Sequence, residues 1–190
     1  MVKLKMKMKF KIIVFAGLLL ALAASPTPAH AYAYFTQDSL LASFFPGSST
    51  TTVTWTPTAD QRTALQATLG YAPPKGAYTF FVEGAADPAH VLSYALIDEQ
   101  NGQHEPITFG VKLRPDATIE RIEVMVYREA YGDGVRAESF RSQFAGLNFR
   151  SPMRAGKEIQ IVSGATISTR ALAVGARRAS ALLATWLGIP

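Results

Sequence analysis

The chain has 190 residues, no cysteine and a formal net charge of +5 at pH 7. Five lysines and no acidic residue lie within residues 1–31, which leaves 14 basic and 14 acidic residues in the rest of the chain. A formally neutral remainder argues against nucleic-acid binding, because such proteins concentrate positive charge on the folded surface. The lack of cysteine excludes disulfides, thiolate metal sites and cysteine nucleophiles.

Residues 1–31 have the features of a secretory signal peptide. A lysine-rich start precedes a 13-residue apolar run from Ile12 to Ala24, and Ala29-His30-Ala31 follows as an A-x-A cleavage site. The run is shorter than the ~20 residues that cross a bilayer core. We therefore expect export to the periplasm or another extracytoplasmic space. If the run is not cleaved, it would instead tether the protein to the inner membrane.

The exported part divides in the sequence into a lead with helices, residues 32–76, and a larger unit, residues 77–190. Within the lead, the pattern predicts a short helix from Asp38 to Phe45. The hydroxyl-rich stretch from Gly47 to Thr54 is either a loop or an exposed strand.

A stronger helix signal follows in the lead, because Thr58 and Gln61 have capping-box spacing and Gly70 suits the position after the last turn. The stretch from Ala137 to Phe144 is also predicted to be helical, before Gly146.

The middle of the chain is predicted to form a sheet. On its last strand, Ile122, Val124 and Val126 alternate onto one face and Met125 points to the other. Turn-forming sequences separate the strands. The candidate strands are Tyr78 to Val82, Val91 to Ile97, Ile107 to Leu113 and Ile119 to Tyr127.

The clearest element is a C-terminal amphipathic helix from about Ser168 to Leu187, which Gly188 ends. Its arginines, Arg170, Arg177 and Arg178, are predicted to lie off the apolar stripe. The order of elements indicates an α+β fold: one domain with an antiparallel sheet flanked by helices. The stripe is formed by Leu172, Gly175, Ala179, Leu182, Leu183 and Trp186.

Hydrolytic or metal-dependent chemistry has no support in the sequence. After residue 31 only His90 and His104 remain, and neither forms a recognisable triad or metal-ligand pattern. His104 is expected to be a surface residue in a turn. We therefore assign no catalytic residue and no metal ligand.

The informative segment runs from Ile159 to Thr169, where a short apolar run passes through small residues into a helix start. Gly164 and Ala165 allow close approach of a ligand, and the free N–H groups of a helix start favour an anion such as phosphate. The alternative is an ordinary helix cap at a tight turn. The hydroxyls that could cap the helix or hold phosphate oxygens are those of Ser163, Thr166, Ser168 and Thr169.

The run Ser163-Gly164-Ala165-Thr166, followed by Ile167-Ser168-Thr169, resembles the flavinylation motif of the FMN-binding domain family. That family includes extracytoplasmic subunits of sodium-translocating NADH:quinone reductase and of Rnf complexes. The resemblance implies FMN as cofactor, bound through a phosphoester to Thr166. It also implies two partners: a flavin transferase that attaches FMN, and a membrane redox complex as electron donor or acceptor.

Two further segments are similar to the family. One runs from Pro106 to Val111. The other is the glycine-rich loop Tyr131-Gly132-Asp133-Gly134 with the following Phe-x-x-Gln-Phe-x-Gly stretch, and this resemblance places Tyr131, Gly132 and Gly134 beside the flavin. In one respect the sequence differs: Gln160 stands where the family usually has an aspartate that the transferase recognises. Covalent and non-covalent binding of FMN therefore both remain open.

These observations predict an exported flavoprotein that passes electrons between a membrane oxidoreductase and an extracytoplasmic acceptor, rather than an independent enzyme. Two other functions stay open. One is a self-contained flavin-dependent reductase of a small acceptor. The other is a secreted binding module without redox activity, in which the motif is only a helix cap.

Overall fold

The computed structural model of the protein describes residues 31–84 and 91–190, so the expected signal peptide and His90 lie outside the described residues. Six antiparallel strands form one sheet in the order β1-β6-β5-β4-β3-β2. With the helices this confirms the predicted α+β class. The strands are β1 (Tyr32–Ala33), β2 (Thr50–Trp55), β3 (Tyr78–Glu83), β4 (Ser93–Asn101), β5 (Pro106–Leu113) and β6 (Ile119–Tyr127). The helices are α1 (Gln37–Phe44), α2 (Ala59–Leu69), α3 (Glu138–Arg141) and α4 (Thr166–Leu187).

The part before residue 77 is built into the same sheet as the rest, because it contributes both edge strands, β1 and β2. The hydroxyl-rich stretch is therefore a strand. The capping box of Thr58 with Gln61 is present at the start of α2, and Gly70 ends that helix in the left-handed region. The single helix predicted from Ala137 to Phe144 is wrong in part, since the α-helix stops at Arg141 and a 3-10 turn continues to Phe144.

Each face of the sheet is covered by a helix. On one face, Leu40 and Phe44 of α1 pack against side chains of the sheet such as Phe81 and Met125. On the other face, α2 and α4 cover the larger core, in which Phe109 and Leu172 are fully buried. The result is a three-layer arrangement in which apolar side chains point both up and down from the sheet.

The apolar stripe of α4 meets the sheet closely at Gly175. A Cβ atom there would lie 2.2 Å from Cζ of Phe109, so only glycine allows the helix to rest on that ring. Trp186, near the end of the helix, stacks on Phe80 with 4.8 Å between ring centroids. None of the helices within the described ranges is long and apolar enough to cross a membrane.

Arg178 departs from its predicted position off the stripe, because it is 5% exposed. Its guanidinium binds the carboxylate of Asp98 on β4, with Nη2 2.6 Å from Oδ1 and Nε 2.8 Å from Oδ2. Arg177 donates to the carbonyl oxygen of Thr68 at 2.7 Å and so stabilises the C-terminal end of α2. These two arginines tie α4 to the sheet and to α2.

Candidate functional site

The segment before α4 ends in a tight turn. Gly164 has φ +74°. Ala165 is the N-cap residue of α4, and its side chain makes no capping hydrogen bond. The amides of Thr166, Ile167 and Ser168 have no hydrogen-bond acceptor among the described residues, as expected for the first turn of a helix. Three N–H groups and the positive end of a 22-residue helix are therefore available to an anion.

The hydroxyls of this turn are used differently from one another. The Ser168 hydroxyl lies 2.9 Å from the hydroxyl of Tyr127, and Oγ1 of Thr169 accepts from the amide of Val162 at 3.3 Å. Both side chains are buried. The hydroxyls of Thr166 and Ser163 make no hydrogen bond to any described residue, and Ser163 is exposed. Thr166 is half-buried, and its hydroxyl is free to react with a ligand or to bind one.

A cleft of about 430 Å³ opens beside this turn, a volume within the range of small-molecule sites. Five residues of the motif line it, together with the predicted Tyr131, whereas Ser163, Thr169, Gly132 and Gly134 do not. The rest of the lining, which was not predicted from the sequence, comes from the β4–β5 turn and from residues just after β6. The lining residues are Gln103, His104, Glu129, Ala130, Tyr131, Gly164, Ala165, Thr166, Ile167 and Ser168.

The glycine-rich loop packs behind the turn and supports it. Gly132 has φ +92°, and a Cβ there would lie 2.7 Å from the Tyr127 hydroxyl and 3.1 Å from Cβ of Ala165. A Cβ at Gly134 would lie 2.8 Å from Cγ1 of Val162. Both glycines therefore let the loop approach the segment before α4. The ring of Tyr131 stands at the cleft and is 86% exposed.

Tyr127 connects the loop to α4. Its hydroxyl donates to the carbonyl oxygen of Tyr131 at 2.6 Å and lies next to that of Ser168, and burial raises its pKa. The prediction that Val126 shares a face with Ile122 and Val124 is wrong, because Val126 packs with Met125 on the α1 side. The pairing register between β5 and β6 shifts at this point, which indicates a β-bulge. The bulge turns Tyr127 toward α4.

The residues that follow the glycine-rich loop contact the beginning of the segment that precedes α4. The side-chain oxygen of Gln143 accepts from the backbone amide of Gln160 at 2.7 Å. Phe140 and Phe144, which flank Gln143 in the sequence, are buried, with 5.5 Å between their ring centroids. The hydrogen bond from Gln160 to Gln143 therefore fixes the backbone four residues before Gly164.

The carboxylate nearest in sequence to the motif is already paired. Both oxygens of Glu158 contact the guanidinium of Arg154, with Nη2 2.5 Å from Oε1. Hydrogen bonding by Arg154 lowers the pKa of Glu158 to about 2. The side chain of Gln160 is exposed and neutral. Glu158 therefore does not replace the acidic residue that is missing at position 160.

The site thus combines a helix start with unpaired amides, a free threonine hydroxyl and a cleft lined by one carboxylate. Nowhere in the described ranges do three or more potential metal ligands cluster. Such a site suits a ligand with a phosphate at one end and a larger polar and aromatic body at the other.

Comparison with protein families gives one match: residues 102–181 match the model of the FMN-binding domain. This part of the chain is similar to the FMN-binding domain, and the match supports FMN as the cofactor. The match includes β5, β6, the glycine-rich loop, the motif turn and most of α4, so both walls of the cleft lie within it. None of the curated proteins matches the chain significantly.

The residues of the cleft fit this cofactor. The FMN phosphate is an anion, and the unpaired amides belong to residues that line the cleft, Thr166, Ile167 and Ser168. Tyr131 offers an exposed aromatic surface at the rim. Glu129, just after β6, is the carboxylate among the residues that line the cleft.

Proposed function

We propose that this protein is an exported flavoprotein electron carrier with FMN attached through a phosphoester to Thr166. The single observation that supports the attachment is that Thr166 provides a free hydroxyl on the cleft wall, directly at the unpaired amides of α4. The linkage joins Oγ1 of Thr166 to the phosphorus of FMN with the net loss of one water. A flavin transferase is the partner that would form it.

The chain's own residues would hold the phosphate and shape the cleft. The amides of Ile167 and Ser168 are placed to donate to phosphate oxygens, and the helix favours their charge. The contact of Gly132 with Ala165 and the bond of Tyr127 to Ser168 fix the turn before any ligand binds. When bound, FMN supplies one- and two-electron redox chemistry.

An electron carrier needs a cofactor that a partner protein can approach. Tyr131 is 86% exposed and the neighbouring Ile167 is 41% exposed, so the rim of the cleft presents apolar surface to the solvent. A covalent bond also prevents loss of the cofactor outside the cytoplasm, where the apolar run and A-x-A site of residues 1–31 would direct the protein. We propose a membrane redox complex as the donor or acceptor.

One observation favours a second candidate, a self-contained flavin-dependent reductase. His104 and Glu129 both line the cleft, so groups able to exchange protons lie on the wall that faces the motif. A reductase of this kind would transfer electrons to a small acceptor without a partner protein. The carrier would not turn over in that assay.

The two candidates separate in one experiment with protein that has been loaded with FMN. The protein is mixed with NADH and membranes from the source cells, and flavin absorbance is followed without oxygen. The carrier predicts bleaching that requires the membranes, followed by recovery when a redox protein acceptor such as cytochrome c is added. Steady turnover of reduced nicotinamide with a quinone analogue and no membranes would instead support the reductase.

A further inference from the structure

The wall of the cleft that faces the motif contains a single carboxylate, that of Glu129. Its side chain is 8% exposed although it is charged and lies just beyond the end of β6. Among the ten residues that line the cleft, no lysine or arginine is present. Within the described parts of the chain, Glu129 also has no salt-bridge partner.

Backbone groups of the β4–β5 turn hold this carboxylate in place. Oε1 of Glu129 accepts from the amide of His104 at 2.6 Å and from that of Glu105 at 3.1 Å. A Cβ at Gly102 would lie only 2.4 Å from the same oxygen, so the glycine leaves room for it. The second oxygen, Oε2, makes no hydrogen bond to a described residue. The charge is thus fixed in position but not neutralised.

The charges of the cleft favour one orientation of a ligand that carries a phosphate. The helix start at Thr166 attracts the phosphate, and a carboxylate repels it. A ligand that has its phosphate at α4 and its body in the cleft therefore extends toward Gln103, His104 and Glu129. In that orientation the charge of Glu129 would act on the ring system of FMN.

We propose that Glu129 lowers the reduction potential of the bound flavin, because its carboxylate lines the cleft without a salt-bridge partner among the described residues. Electron uptake adds negative charge, and a fixed carboxylate opposes it, so Glu129 lowers the potential. The residue acts by electrostatics and does not react. This inference depends on FMN occupying the cleft, whether or not the cofactor is bound covalently to Thr166.

The test is the reduction potential of the FMN-loaded protein, measured by spectroscopic titration against reference dyes. Glu129→Gln is the informative variant, because its side-chain oxygen can still accept from both amides while the charge is removed. We expect the equilibrium constant for reduction to rise at least about tenfold, which is about 30 mV for a two-electron couple. Glu105→Gln, in the same turn but not lining the cleft, should change it less than about threefold.

A second variant tests the same inference independently, in case Glu129→Gln does not fold. Gln103→Glu adds a carboxylate to the lining of the cleft at an exposed position and should lower the potential, by less than Glu129→Gln raises it because solvent screens an exposed charge. The thermal midpoint of the apoprotein should be the same for Glu129→Gln as for the wild type. If both variants retain the wild-type potential, the inference is overturned while the proposed function stands. If the wild type binds no FMN, both are overturned.

Discussion

The hydroxyls of Tyr127 and Ser168 lie 2.9 Å apart and join the end of β6 to the first turn of α4. Tyr127 also donates to the carbonyl oxygen of Tyr131, and so it connects three segments around the cleft. Its side chain is fully buried. The position of the motif turn therefore depends on a tyrosine far from it in sequence.

Tyr127→Phe should lower the free energy of unfolding by about 1–3 kcal/mol, because it leaves buried polar groups without their partner. Urea unfolding of the apoprotein measures this. Tyr32→Phe is the control, since Tyr32 is 58% exposed and its change should stay within about 0.5 kcal/mol. Equal stability of Tyr127→Phe and wild type would show that the connection has no energetic role.

Gly132→Ala should impair both folding and FMN loading. Gly132 and Gly146 have similar positive φ angles, +92° and +83°, so alanine is strained at both. Only at Gly132 would the new Cβ also meet other atoms, the Tyr127 hydroxyl and Ala165, because nothing lies within 4 Å at Gly146. Gly132→Ala should therefore cost at least about 1 kcal/mol more than Gly146→Ala.

Chemical denaturation of the two alanine variants gives that difference directly. The loaded fraction after expression with a flavin transferase is the second measurement. It should fall for Gly132→Ala and stay near wild type for Gly146→Ala. The same cost at both positions would contradict the packing of the loop against the motif turn.

Much of the site follows from the sequence, because its signals are local. The turn at Gly164, the start of α4 and the spacing of the glycine-rich loop are all set by neighbouring residues. The cofactor also follows from the motif. The capping box of Thr58 could also be predicted from the sequence, since Gln61 is only three residues away.

The features that were not predicted from the sequence depend on contacts between residues far apart in the chain. A single bulge reverses the alternation of β6, so Val126 leaves the predicted face and Tyr127 turns toward α4. Glu129 joins the site only because β4, β5 and β6 are neighbours in the sheet. The burial of Arg178 requires Asp98, which lies 80 residues away in sequence.

Gln160→Asp should increase the rate of FMN attachment. The backbone amide of Gln160 makes the bond to Gln143, and the exposed side chain makes none that the substitution would remove. The resemblance to the flavinylation motif implies an aspartate at this position, and we expect a flavin transferase to recognise that acidic side chain. The modified fraction is followed by intact mass over time, with Gln160→Asn as the neutral control. Equal rates for both variants and wild type would contradict this role.

Glu158 should titrate far below an ordinary glutamate, because Arg154 lowers its pKa to about 2. Because the pKa is lower in the folded state, the ion pair stabilises the folded turn at pH values above the ordinary pKa of 4.5. This contribution is lost as the pH falls toward 2. A carboxyl titration by NMR measures the midpoint. Arg154→Gln should return it toward 4.5, and a midpoint near 4.5 in the wild type would show that the pair does not form in solution.

The most direct test of the proposed function is the intact mass of the protein purified from cells that also express a flavin transferase. Wild type and Thr56→Val, which changes an exposed threonine outside the motif, should both gain the mass of FMN less one water and stay yellow after denaturation. Thr166→Val should gain nothing, although it too removes just one hydroxyl. Full modification of Thr166→Val, or an unmodified wild type with a transferase that is active on another target, would contradict attachment at Thr166.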